Sequence, residues 1–121
     1  MARILLIEDE KDILEIMSVL LKFGELEVLT ASDGAKGLEL ARSKMPDLIV
    51  LDIMLPKMDG IAVNAELLKS SKTSKIPVVI MTSQSARDNS LANAKNVAAY
   101  VQKPFDPMEL LETIRKILKK S

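Results

Sequence analysis

Two patterns of apolar positions alternate along this chain. One is a short, solid aliphatic run, seen in Ile4-Leu5-Leu6-Ile7, Leu48-Ile49-Val50-Leu51 and Val78-Val79-Ile80-Met81. Such runs, bounded by charge or turn residues, read as strands buried on both faces of a parallel sheet. They predict strands at about Arg3–Ile7, Asp47–Leu51 and Pro77–Met81, and two weaker segments, about Leu26–Thr30 and Ala98–Val101, make five. The other pattern repeats every 3.6 residues. It is clearest in Ile13, Ile16, Met17, Leu20 and Leu21, a helix that Gly24 is expected to stop. The last helix, about Asp106–Lys119, carries Leu110, Ile114, Ile117 and Leu118 on one face and ends in lysines that suit the negative end of its dipole. Pro46 and Pro77 stand where the preceding helix must already have ended.

Five strands alternating with five helices predict an α/β fold, a doubly wound parallel sheet with helices on both faces. The three solid runs should be central and the two weaker strands should be edges. The flavodoxin-like (βα)5 order, 2-1-3-4-5, satisfies that restriction and makes the first and third strands neighbours at the topological switch point. The helix at about Gln84–Lys95 has only Ala86, Leu91, Ala92 and Ala94 as apolar positions, with Asn89, Asn93 and Asn96 in or beside it. It is the least anchored helix and the one expected to move.

Composition narrows the chemistry. At 121 residues the chain reads as one domain, 1–121, with no output domain, large enough to bury about two-thirds of its unfolded surface. Net charge is zero and Lys and Arg are spread along the chain, which argues against a nucleic-acid-binding face. There is no Cys and no His, so thiolate and imidazole metal sites are excluded, and any metal must be held by oxygen: Mg²⁺, Mn²⁺ or Ca²⁺. The apolar runs are too short to span a membrane and the start lacks a signal-peptide core, so a cytoplasmic location is expected.

Chemistry gathers where strands end. The first run meets Glu8-Asp9-Glu10 and the third meets Asp52. In open α/β sheets ligands bind beyond the carboxyl ends of the strands, so adjacent first and third strands would crowd Glu8, Asp9 and Asp52 into one crevice. Two carboxylates about 4 Å apart repel by about 1 kcal/mol in water and about 4 kcal/mol at an effective dielectric near 20. Without a cation one acid should have a raised pKa; with Mg²⁺ all can stay ionised. Each residue also has a plain reading. The acids at 8–10 favour a helix start, Asp52 can begin a turn, and Asp59 suits an N-cap. Thr82 can cap the weak helix, Lys103 can be solvated, and Tyr100 can be a half-buried aromatic. Together, however, these residues put acids, a hydroxyl and a lysine at the ends of four strands.

At this point the chain resembles the receiver domains of two-component response regulators, the CheY-like domains. The resemblance rests on Ile4-Leu5-Leu6-Ile7-Glu8-Asp9-Glu10, Asp52-Ile53-Met54-Leu55-Pro56-Lys57-Met58-Asp59-Gly60, Val79-Ile80-Met81-Thr82-Ser83 and Tyr100-Val101-Gln102-Lys103-Pro104-Phe105. It implies that Asp52 accepts a phosphoryl group from a phosphohistidine of a histidine kinase or phosphotransfer protein. It implies Mg²⁺ (or Mn²⁺) held directly by Asp9 and Asp52, by Glu8 mostly through water, and by the Met54 backbone carbonyl. Lys103, Thr82 and the backbone N–H of Ser83 would contact the phosphoryl oxygens, with a cis bond before Pro104 aiming the lysine. Thr82 and Tyr100 would form a switch acting through the 84–119 face on a downstream protein. The domain would assist its own phosphorylation and autodephosphorylation without being a turnover enzyme.

Some residues depart from the family pattern. Glu8 stands where Asp is commonest, and Asn96-Val97 stands where Gly-Ala is usual, Asn being able to supply a left-handed conformation. Ala98-Ala99 replaces an acidic pair frequent in DNA-binding members that dimerise through this face, so a monomer or weak dimer is expected. Three rivals use similar parts. A flavodoxin-type FMN carrier needs a phosphate loop where the acids 8–10 stand, a haloacid-dehalogenase-type phosphatase has an acid where Met54 stands, and a degenerate receiver acting as an adaptor would have lost an acid or the lysine.

Overall fold

A computed structural model describes residues 1–82 and 94–120. Five parallel strands, β1 (Arg3–Ile7), β2 (Glu27–Ala31), β3 (Leu48–Asp52), β4 (Val78–Thr82) and β5 (Val97–Gln102), lie in the order β2-β1-β3-β4-β5. Among the described residues there are four helices: α1 (Lys11–Phe23), α2 (Gly34–Lys44), α3 (Gly60–Lys69) and α4 (Pro107–Lys120). The solid runs are the central strands and the weaker ones the edges, as their composition requires. The helix expected at about Gln84–Lys95 falls mostly on residues 83–93, outside the described residues; Ala94 is irregular and Lys95–Asn96 form a turn.

Because successive side chains alternate across a strand, each central strand feeds two cores. Leu5, Ile7, Ile49, Leu51, Val78 and Ile80 face Leu38, Ala41, Val63 and Leu67 of α2 and α3. Ile4, Leu6, Leu48, Val50, Val79 and Met81 face Met17, Leu21, Leu110, Leu111 and Ile114 of α1 and α4. Each buried aliphatic contributes about 1.5–3 kcal/mol by leaving water.

Several boundaries differ from the sequence reading for identifiable reasons. β2 starts at Glu27 because the Leu26 N–H donates to the Leu21 carbonyl at the end of α1. β4 starts at Val78 because Pro77 has no N–H, although its carbonyl accepts from Ile49. Gly24 ends α1 as expected, its N–H donating to the Leu20 carbonyl, but the left-handed residue is Glu25, with φ 64°; a Cβ on Gly24 would lie 2.7 Å from the tip of the Leu111 side chain of α4, which would have to shift. The apolar face of α1 is narrower than its spacing suggests. Met17 and Leu21 are buried, Ile13 and Leu20 are half-buried, and Ile16 is 54% exposed. Nor is Asn96 left-handed; among the described residues, the non-glycine residues with positive φ are Glu25, Met45 and Lys57.

Candidate functional site

Backbone bonds at the carboxyl end of the sheet fix each strand's exit. The Glu8 N–H donates to the Ala31 carbonyl (3.0 Å), Ile53 N–H to Met81 (3.0 Å) and Lys103 N–H to Thr82 (2.8 Å). These bonds bring together the ends of β1, β3, β4 and β5. The loop after β3 is closed by the Gly60 N–H donating to the Ile53 carbonyl, and a Cβ on Gly60 would stand 2.6 Å from Ile53 Cα and 2.7 Å from the Asp52 carbonyl oxygen. Asp59 caps α3 by accepting from the Ala62 N–H at 2.9 Å, as its position suggests. The Lys103–Pro104 bond is cis.

Glu8, Asp9 and Asp52 meet there, with one carboxylate oxygen from each lying within 4.8 Å of the others. Glu8 is fully buried, Asp52 is 2% exposed, and Asp9 lies open to solvent. Lys103 Nζ donates to Glu8 Oε1 at 2.6 Å and to Asp52 Oδ2 at 3.1 Å. The other carboxylate oxygens are held by backbone: Glu10 N–H donates to Glu8 Oε2 (3.0 Å) and Met54 N–H to Asp52 Oδ1 (2.9 Å). Thus Met54 reaches the crevice through its backbone while its side chain stays exposed.

Burial drives the Glu8 carboxyl up to about 7; the Lys103 and Glu10 bonds pull against that rise, and the nearby Asp52 charge adds to it. One of the three acids is raised, as expected, but burial rather than the crowding of charges is the main cause. Burial also works to lower the Lys103 pKa, but its bonds to Glu8 and Asp52 and their charges outweigh it, holding the ammonium above its ordinary value. Lys103 therefore stays charged across the neutral range, and Glu8 is the partner that changes state.

The donor set is all oxygen and all carboxylate, chemistry that suits a hard divalent cation such as Mg²⁺. Of the other expected residues, Thr82 ends β4 in a buried position, and Tyr100 lies on the outer side of β5, 40% exposed. Ser83 and residues 84–93 of the expected switch face lie outside the described residues. The sequence reading missed Glu10, whose Oε1 lies 3.8 Å from Lys103 Nζ. It also missed a buried amide pair, Asn64 with Asn96. A polar residue among the inner positions of α3 was the available signal for the second.

Known proteins give the same picture. The chain is 38% identical to the DNA-binding dual master transcriptional regulator RpaA of Synechocystis, aligned over 100% of this chain and 51% of that one. It spans about half the length of several curated relatives, RpaA among them. Protein PilH of Pseudomonas aeruginosa is 35% identical, with 98% of each chain covered. A CheY-like response regulator receiver domain protein from Methanospirillum hungatei has the same fold, with a TM-score of 0.90 and 30% identity over 99% of this chain and 95% of that one. The response regulator receiver domain model matches residues 4–115, which take in all five strands but for Arg3 and every acid of the crevice, and the chain belongs to that family of two-component signalling domains.

Proposed function

We propose that this domain receives a phosphoryl group on Asp52 from a phosphohistidine of a histidine kinase or phosphotransfer protein, in a Mg²⁺-dependent reaction. The observation that carries the reading is Lys103 Nζ, bound to both Glu8 and Asp52 beside the open carboxylate of Asp9. In the transfer an Asp52 carboxylate oxygen forms the new P–O bond as the P–N bond to imidazole breaks, and the departing imidazole nitrogen takes a proton from its own surroundings. No base is needed to activate a carboxylate, and a chain without His loses nothing by lacking one. What the protein supplies is position and charge neutralisation.

The Met54 N–H orients Asp52 through Oδ1, leaving Oδ2 toward Lys103. Lys103 follows β5 directly and can pass from Asp52 to the arriving phosphoryl oxygens without leaving the crevice. Thr82, at the end of β4, and the Ser83 N–H are the further donors in this reading. Mg²⁺ when bound would be held by Asp9 and Asp52, with Glu8 behind them and the Met54 carbonyl completing the protein ligands, and would offset the charge gathered at the transferring group. Every acid and the lysine are present, which disfavours a degenerate adaptor. The domain acts on itself rather than on an outside substrate, in the cytoplasm, and signals through the 84–119 face. The described part of that face holds a groove of about 260 Å³ lined by Tyr100, Gln102, Phe105, Glu109 and Thr113.

Incubation with acetyl phosphate and Mg²⁺ followed by intact mass measurement tests the reading. The wild type is expected to gain one phosphoryl group and Asp52→Asn none. An adduct that persists in Asp52→Asn, or none on the wild type, refutes it.

A further inference from the structure

Asn64 lies on the inner side of α3, fully buried, and Asn96 stands buried one residue before β5. Their amides bind each other twice: Asn64 Nδ2 donates to Asn96 Oδ1 at 3.1 Å, and Asn96 Nδ2 to Asn64 Oδ1 at 2.7 Å. The Asn96 carbonyl also accepts from the Val78 N–H at 2.8 Å. Two aliphatic side chains of similar size would pack this position equally well, because a buried hydrogen-bonded pair gains little over an apolar replacement. What a reciprocal amide pair adds is specificity of position.

The strand that follows needs it. Val78 pairs with Val97, but the next residue, Val79, pairs with Ala99, so Ala98 is left over. Bulges are rare between parallel strands. This one flips the strand: Val97 packs into the α2/α3 core, whereas Ala99 and Val101 pack into the α1/α4 core. A regular ladder with Ala98 opposite Val78 is the evident competitor, and the small side chains at 98 and 99 do little to exclude it. Only the first half of β5 would move. Lys103 would stay, since its N–H is bonded to Thr82 and Val101 anchors the far half.

We propose that the Asn64–Asn96 pair is a register latch: it holds the start of β5 in its bulged form against a regular register one residue along, and so sets the edge of β5 that Ala98 and Tyr100 present. The use of that edge by a partner rests on the reading above; the register does not.

The test is Asn64→Leu/Asn96→Ala, which removes both amides without orphaning either. Asn96 has no positive φ, so alanine is unstrained there. Loss of two hydrogen bonds of usual net strength should shift the ratio of bulged to regular register by about 30-fold. Cross-strand NOEs read this directly: Val78–Val97 contacts in the wild type should give way to Val78–Ala98 contacts, or to exchange broadening confined to residues 96–99. A merely structural role would lower stability and leave these contacts in place. That outcome, a wild-type NOE pattern in the folded double variant, overturns the proposal. If the double variant does not fold, Asn64→Ser, which keeps a small polar group, is read by the same NOEs and judged in the same way. Phosphorylation by acetyl phosphate should match the wild type, and a clear fall would overturn the claim that only the start of β5 moves. Failure of the wild type itself to be phosphorylated would count against the Asp52 reading and leave the register result standing.

Discussion

Raising the pH of the metal-free domain should destabilise it through Glu8. This carboxyl is buried, and its pKa is pushed up to about 7 from an ordinary 4.5. The folded protein thus holds a proton more tightly than the unfolded chain, so this contribution is largest below the unfolded value and is lost as pH rises through the folded one. A gap of about 2.5 units amounts to about 3 kcal/mol at most, of which about 2 kcal/mol should disappear between about pH 5.5 and 8. Urea denaturation in EDTA, followed by circular dichroism, measures the loss. Other groups titrate too, so the comparison is with Glu8→Gln, which keeps the shape without the charge change. The wild type should lose about 2 kcal/mol more than Glu8→Gln across that range, and Mg²⁺ should restore part of the difference at the upper end. Parallel stability–pH curves for the two proteins would refute the burial argument for Glu8.

Three further outcomes follow from the same structure. Lys103→Ala leaves Glu8 and Asp52 facing each other without a cation; it should fold, lose about 1–3 kcal/mol in urea titrations at neutral pH, and take phosphoryl from acetyl phosphate at least about tenfold more slowly. Gly60→Ala sets a methyl against the backbone of Asp52 and Ile53, and should cost about 2 kcal/mol or more in thermal unfolding while slowing phosphorylation, because the loop that carries Met54 must shift. Met45→Gly should stabilise the domain by about 0.5–1 kcal/mol, since Met45 ends α2 with φ 45° and is partly exposed; an unchanged midpoint in urea would contradict that expectation.

The legible parts of this fold are those whose signal is local. Ile4–Ile7, Leu48–Leu51 and Val78–Met81 announce central strands because burial on both faces leaves no position for a polar residue. Which runs could tolerate an edge restricted the strand order to a set that contains the observed one, and the candidate site was read from what stood at the carboxyl ends. The less legible parts depend on partners far along the chain. Ile16 fits the helical stripe of α1 yet lies exposed, because the core offered to α1 ends at Met17 and Leu21. Gly24 reads as a helix stop and is one, but its close approach to the tip of the Leu111 side chain in α4 could not be read from its own neighbourhood. The tie from Asn64 to Asn96 joins residues 32 apart and the bulge at Ala98 is set between two strands, and no periodicity encodes either.

In the crevice one lysine faces three carboxylates, and the charge balance follows from that count. Three ionised carboxylates against one ammonium leave two negative charges in excess, the amount a single divalent cation neutralises. Glu8 relieves part of that excess by holding its proton up to neutral pH. It is also the acid nearest Lys103, at 2.6 Å against 3.1 Å for Asp52, so Glu8 gives the lysine its shorter contact. On the proposed phosphorylation of Asp52, Lys103 would give up its longer contact and keep its shorter one. A glutamate at this position, one methylene longer than aspartate, reaches the lysine from the end of β1. Glu8→Asp should shorten that reach, shift the lysine toward Asp52, and narrow the difference between the two contacts.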